Sequence, residues 1–142
     1  MYLREANEDD RDLYFEWAND SEVRANSFNN EPIIYANHCE WFAKMLAAED
    51  VFLYVLMIDD QPVGQVRLSV SGDVAEISYS IDKEFRGKGF GKRIIGLIKE
   101  KATELPQVRK LIGKIKTDNK KSSRCFLSNG FSEEFTQYSI DL

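Results

Sequence analysis

The feature that most constrains this chain is a change of rhythm between residues 74 and 98. Val74 to Ile81 alternates apolar and polar residues with the period of a half-buried strand. The turn Arg86-Gly87-Lys88-Gly89-Phe90-Gly91 follows, and then Ile94, Leu97 and Ile98 recur at helical spacing. A glycine-rich turn between a strand and a helix frees several backbone N–H groups and sets them at the positive end of the helix dipole, which makes an anion site. Glycines at 87, 89 and 91 let the backbone approach phosphate oxygens where a Cβ would intrude.

Two nucleotide-binding alternatives fail on context. A dinucleotide-binding turn needs Gly-x-Gly-x-x-Gly after the first parallel strand of a βαβ unit, whereas these glycines follow what reads as an antiparallel meander. Val51 to Ile58 is a continuous apolar run, as expected of a strand covered on both faces. Asp59-Asp60-Gln61-Pro62 then reverses the chain, Val66, Leu68 and Val70 alternate with Arg67 and Ser69, and Ser71-Gly72-Asp73 reverses it again. In the last strand Ile77, Tyr79 and Ile81 face away from Glu76, Ser78 and Ser80. The Gly-x-x-x-x-Gly-Lys-Ser/Thr phosphate loop does not occur in the chain.

On either side of this centre the pattern predicts further elements. Tyr2 to Arg4 reads as a short strand, and Asp9 to Ala18 as a helix burying Leu13, Tyr14 and Trp17, broken at Asn19-Asp20-Ser21. A polar, irregular stretch precedes a second helix over about His38 to Ala48, where Asn37 and Glu40 have the spacing of a capping box. Pro106 stops the helix behind the glycine turn near Leu105. Lys110 to Lys116 reads as a strand, Lys120 to Ser128 as a helix closed by Asn129-Gly130, and Phe131 to Leu142 as one or two strands.

With 142 residues the chain is large enough for one continuous core, and residues 1–142 are expected to form a single domain. A net charge of -5 argues against general affinity for nucleic acid or an anionic membrane. Basic stretches at Lys83–Arg93 and Arg109–Arg124 suit a small polyphosphate instead. No apolar run approaches the roughly 20 residues of a membrane span, and the N-terminus lacks a secretory pattern, so a cytoplasmic protein is expected. Cys39 and Cys125 lie outside any metal-ligand spacing and read as free thiols; no metal site is expected.

The arrangement resembles the GNAT superfamily of N-acetyltransferases. Arg86, Gly89 and Gly91 match its Gln/Arg-x-x-Gly-x-Gly/Ala signature, and Asn119, Phe126, Gly130 and Phe131 match its Asn-x(6)-Tyr/Phe-x(3)-Gly-Phe pattern. The resemblance implies a mixed α/β (α+β) fold, in which helices flank a mainly antiparallel sheet whose fourth and fifth strands splay apart. It also implies acetyl-CoA as co-substrate. By position, the N–H groups of Gly87, Lys88, Gly89, Phe90, Gly91 and Lys92, next to Arg86, would hold its pyrophosphate. The backbone at Ser80 and Ile81 would pair with the pantetheine arm, and Asn119, with Phe126 in the same region, would contact it near the thioester.

Attack on a thioester needs a neutral amine, so a base must accept a proton from an ammonium group. Glu76 is the first candidate and Ser78 a relay through water; the competing reading pairs Glu76 with Arg67 on the neighbouring strand. Phe126 stands where many family members carry a proton-donating tyrosine. Tyr138 or Tyr79 would take its place, or the thiolate would draw its proton from the substrate ammonium or water. Some ribosomal-protein N-terminal acetyltransferases have a glutamate at the position of Lys114, which weakens a protein acceptor.

Trp17 to Arg24 and His38 to Phe42 resemble the entry segment of members that acetylate nucleotide-linked amino sugars. On that resemblance a UDP-amino sugar is the first acceptor, with Arg24 on a phosphate, Asn26 and Asn29 on hydroxyls, and His38 in binding or proton transfer. The ordinary alternatives are a helix-end cation, turn-forming asparagines and a first-turn histidine. A protein N-terminus, another small amine, or a non-catalytic acyl-CoA-binding role remain as alternatives, and a homodimer is left open.

Overall fold

A computed structural model describes residues 1–142. The meander expected from the alternation is present: β1 (Tyr2–Glu5), β2 (Val51–Ile58), β3 (Gln61–Ser71) and β4 (Val74–Ile81) lie side by side, each antiparallel to the next. Asp59 and Asp60, with φ of 48° and 64°, make the tight β2–β3 reversal, the left-handed geometry that matches strand twist in two-residue hairpins. β5 (Lys110–Gly113) completes the sheet of five strands, parallel to β4.

Between the strands run α1 (Arg11–Ala18), α2 (Ser21–Asn26), α3 (Tyr35–Ala47) and α4 (Phe90–Ala102), and α5 (Lys120–Ser128) follows β5. The sheet has a core on each face. Leu56, Val66, Leu68 and Ile77 pack with Ile94, Ile95 and Ile98 of α4, while Leu53, Val55 and Met57 pack with Tyr14 and Trp17 of α1 and Phe42 of α3. Val55 and Leu56 are neighbours in sequence and both fully buried, because each serves a different core. That is why β2 is a continuous apolar run.

Several elements differ from the expectation. The first helix begins at Arg11, after a 3₁₀ turn at Glu8–Asp10 capped by Asn7. The expected break at Asn19-Asp20-Ser21 is also a start, since the Asp20 carboxylate accepts N–H bonds from Glu22 and Val23 and caps α2. α3 opens at Tyr35 behind an extended Ile34, so Asn37 and Glu40 sit inside the helix and form no capping box. β5 is shorter than Lys110–Lys116. Phe131–Leu142 forms no strand: Phe135, Tyr138 and Ile140 stand exposed, with no sheet edge paired to them.

The short β5 has a consequence for the site. Its register with β4 runs from Val74↔Lys110 to Ile77↔Gly113 and stops. Ser78 to Ile81 then continue along β3 alone, leaving one edge of β4 open. Phe126 sits in the fork: a Cβ at Gly113 would overlap its ring, which also packs edge-on against Tyr79 and Phe131 at 6.0 and 5.1 Å.

Candidate active site

A cleft of about 1040 Å³ runs from the fork between β4 and β5 across the polar face of β3 and β4, under α1, α2 and α3. One end is made of backbone. Gly87 and Gly89 adopt φ of 77° and 82°, and nothing lies within 4 Å of where a Cβ would be, so conformation rather than crowding calls for glycine there. Gly89 heads α4 without any side-chain cap. The N–H groups from Gly87 to Lys92 donate to nothing inside the protein, and Arg93 is the first to bond back, to the Gly89 carbonyl at 3.3 Å. A run of free donors at the start of a 13-residue helix fits a pyrophosphate.

Arg86 does something different from its neighbours. Its guanidinium holds the Asp20 carboxylate at 2.7 Å and that of Glu22 at 2.8 Å, while Nε donates to the Ile81 carbonyl at 3.1 Å. All three contacts point back into the protein, so Arg86 anchors the turn to α2. Burial by itself would raise the Asp20 pKa, but the bonds from Arg86 and from the N–H groups of Val23 and Glu22 outweigh it and hold the carboxyl below its ordinary value. The opposite wall reaches the same helix: Lys116 donates to the Ala25 carbonyl at 3.1 Å, and Lys121 lies 3.7 Å from Glu22. α2 is therefore tied to both sides of the cleft mouth.

The fork brings together Tyr79, Ser122, Cys125 and Phe126. The Tyr79 hydroxyl lies 2.9 Å from Ser122 Oγ, and burial pushes its pKa well up. Asn119 lines the cleft with its side chain accepting from the Ser122 N–H at 3.3 Å, so it caps α5. Ser80 is buried, its hydroxyl accepting from Gln65 Nε2 at 3.1 Å. The Ile81 carbonyl, expected to pair with the coenzyme arm, is already bonded to Arg86.

On the sheet face, Glu76 and Ser78 line the cleft as the alternation predicts. Glu76 lies opposite Ser69, not Arg67, and its carboxylate is 3.3 Å from Lys114 Nζ. Arg67 faces Ser78 across the strands and stacks on Trp41 of α3, with its guanidinium 5.3 Å from the ring centre. The strand pairing and the helix above it bring Arg67 and Trp41 together, and neither is visible in local spacing. The one available signal was the only charged residue in an alternating strand, which the sequence offered solely as the alternative partner of Glu76, an ion pair that does not form.

The remaining candidates divide. Arg24 lines the cleft but spends its guanidinium on the Ala18, Asn29 and Glu31 carbonyls and on Ser27 Oγ, so it staples the loop after α2. Asn26 lines the cleft; Asn29 does not, and its side chain accepts from the Glu31 N–H at 3.1 Å as a turn former. His38 is buried among Phe15, Trp41 and Phe42. Its Nε2 lies 2.8 Å from the Arg11 carbonyl, an acceptor only, so that nitrogen carries the proton. Tyr138 falls outside the cleft and is 91% exposed, because the tail that carries it forms no strand.

Residues 1–132 match the family model for the acetyltransferase (GNAT) domain. No curated protein matches the chain. Among solved structures, the aminoglycoside acetyltransferase AAC(6')-Ib in complex with coenzyme A is 24% identical, with a TM-score of 0.81 over 94% of this chain and 84% of that one. The spermidine N-acetyltransferase of Vibrio cholerae, in complex with coenzyme A and spermine, is 19% identical, with a TM-score of 0.86 over 98% and 86%. A possible acetyltransferase of Clostridium difficile 630 is 18% identical, with a TM-score of 0.79 over 99% and 96%. These likenesses establish the fold, and the match over residues 1–132 establishes the lineage: the chain belongs to the GNAT acetyltransferases and is an acyl-CoA-dependent N-acyltransferase.

Proposed function

We propose that the chain transfers the acetyl group of acetyl-CoA to the primary amine of a small molecule, with Glu76 as general base. The observation that carries this reading is the run of unbonded N–H groups from Gly87 to Lys92 beside the open edge of β4. Bound acetyl-CoA supplies an activated thioester. The free donors hold its pyrophosphate, and the open edge at Ser78–Ile81 aligns its arm, apart from the Ile81 carbonyl that Arg86 occupies.

An incoming ammonium competes with Lys114 for Glu76 and gives up its proton there or through water held at Ser78. Tyr138 takes no part. Tyr79 is in place, but burial strengthens its hold on its proton, so it donates a hydrogen bond rather than protonating a thiolate. The leaving sulfur draws its proton from the acceptor or from solvent.

For the acceptor we favour an amine on an anionic molecule, with a UDP-linked amino sugar as the leading candidate and the cytoplasm as the place of reaction. The acceptor end of the cleft lining supports this, since Arg67 there is a cation with no ion-pair partner in the protein. Such a lining is a poor match for polycations like the spermine bound by the Vibrio enzyme. Calorimetry with acetyl-CoA, followed by turnover on UDP-amino sugars, spermidine, kanamycin and a peptide N-terminus, tests the reading. We expect saturable coenzyme binding, and a loss of about 10²–10³ in kcat for Glu76→Gln with the coenzyme Kd unchanged. Absence of acetyl-CoA binding at millimolar concentration would sink the proposal; an unchanged rate in the variant would remove Glu76 as the base.

A further inference from the structure

We propose that Arg67, stacked on Trp41, is an anion site for the acceptor, binding a carboxylate or phosphate carried a few bonds from the amine that reacts. The inference rests on the acetyl-transfer reading and adds the chemistry of the molecule that receives the acetyl group.

Of the cations lining the cleft, most are already committed. Arg24 is spent on loop carbonyls, Arg86 on Asp20 and Glu22, Lys114 on Glu76, and Lys121 on Glu22. Lys92 and Arg124 are unpaired but belong to the coenzyme side, in the first turn of α4 and on α5. Arg67 alone combines an acceptor-side position with a guanidinium that makes no hydrogen bond and no salt bridge in the protein. No fully buried side-chain nitrogen lacks a partner, so its unbonded nitrogens open onto the cleft.

Energetics and geometry both favour a ligand there. Burial lowers the Arg67 pKa, the sign of an environment that disfavours charge, yet a guanidinium stays protonated. Stacking on Trp41 recovers only part of what a desolvated cation loses, and a planar fork of donors facing a cleft is the fitting partner for a carboxylate or phosphate. Arg67 pairs directly with Ser78, which makes Glu76 its diagonal neighbour on the same face. Such diagonal positions lie about 7–8 Å apart at the backbone. An acceptor whose amine is at Glu76 and whose anion is at Arg67 therefore carries the two groups close together. A polyamine has no group for Arg67 and would place a second ammonium against it.

The test is calorimetric titration of the coenzyme A-saturated protein, so that the pyrophosphate site is filled. The probes are glucosamine 1-phosphate and β-alanine, which carry an anionic group near the amine, and glucosamine and spermidine, which carry none. We expect one or both anionic probes to bind more tightly than glucosamine and spermidine, the stronger of the two telling phosphate from carboxylate. Arg67→Gln should weaken that probe about tenfold or more, the scale of one charge-assisted contact. It should leave glucosamine within about twofold, and Arg67→Lys should recover part of the loss. An unchanged coenzyme A affinity in Arg67→Gln shows that the variant is folded. Failure of the wild-type protein to bind coenzyme A counts against the donor reading and is separable from failure here. The assignment is overturned if Arg67→Gln leaves the better anionic probe unchanged or weakens it no more than glucosamine, if spermidine binds best, or if neither anionic probe binds saturably at millimolar concentration.

Discussion

The coenzyme end of the cleft offers backbone, with N–H groups from Gly87 to Lys92, a glycine at the head of α4 and an unpaired edge on β4. The acceptor end offers side chains: Glu76 against Lys114, Arg67 against Trp41, and Ser78 opposite Arg67, two residues along β4 from Glu76. A site made of backbone needs particular φ angles and a particular place in the topology, both of which are local properties of a short segment. A site made of side chains depends on which strands pair in which register and which helix lies above them. On the proposed reading the donor is thus fixed by one turn, and the acceptor by the assembly of four separate segments: β3, β4, α3 and the chain after β5.

The comparison is broken most severely at Gly89. Valine there must take a φ of 82°, where a β-branched side chain is strained, and relaxing that strain rotates the donors away from their common target. We expect Gly89→Val to weaken coenzyme A by about 100-fold, near 3 kcal/mol, while leaving the acceptor end intact. Calorimetry with coenzyme A checks the first part and titration with an anionic amine the second. Equal loss at both ends would mean that the two halves are not independent.

That independence explains how much the sequence conveyed. The alternation in β2, β3 and β4, the glycine turn and the helix behind it were all legible, because each is a local pattern whose reading needs no partner. The splay of β4 and β5 followed from resemblance alone; the contact found at the fork, Phe126 packed on Gly113, joins residues that no short-range pattern relates. Asp20 was read as a breaker, although as a cap it starts a helix as well as ending one. The competing reading of Glu76 as a partner for Arg67 rested on proximity in the meander, but the register offset sends the carboxylate to Lys114, which a crossover brings in from β5's end. Tyr138 looked available only while the tail was taken for a strand.

A smaller effect sharpens the boundary between the halves. Arg86 belongs to the coenzyme signature yet binds α2, a helix of the acceptor roof. Arg86→Met keeps the stem and removes the ties, and we expect about a tenfold loss in coenzyme affinity together with a weaker anionic acceptor. The pH dependence has a definite sign. Asp20 has a depressed pKa in the folded protein, so the stability it contributes is present above its unfolded value of about 3.9 and is lost as pH falls through the lower folded value. Acid unfolding monitored by circular dichroism should therefore begin at a higher pH in Asp20→Asn than in the parent, and a coincident pair of curves would remove Asp20 from the account.

The smallest effect is expected where the family pattern made the largest demand. Phe126 has no hydroxyl, so Tyr79 is the nearest phenol in the fork, bonded to Ser122 at 2.9 Å. If Tyr79 protonated the leaving sulfur, Tyr79→Phe would cost about 10² or more in kcat. Its raised pKa points the other way: a phenol that holds its proton more tightly than usual is poorly matched to a thiol of ordinary pKa about 8.5, whose anion is already a competent leaving group near neutrality. Losing the hydroxyl should therefore change kcat less than about threefold, and cost about 1 kcal/mol of stability through the hydrogen bond to Ser122. Steady-state rates and urea unfolding on the same variant separate the two outcomes. A rate that collapsed while stability held would return the acid to the coenzyme end, and would mean that this half of the cleft works through a side chain after all.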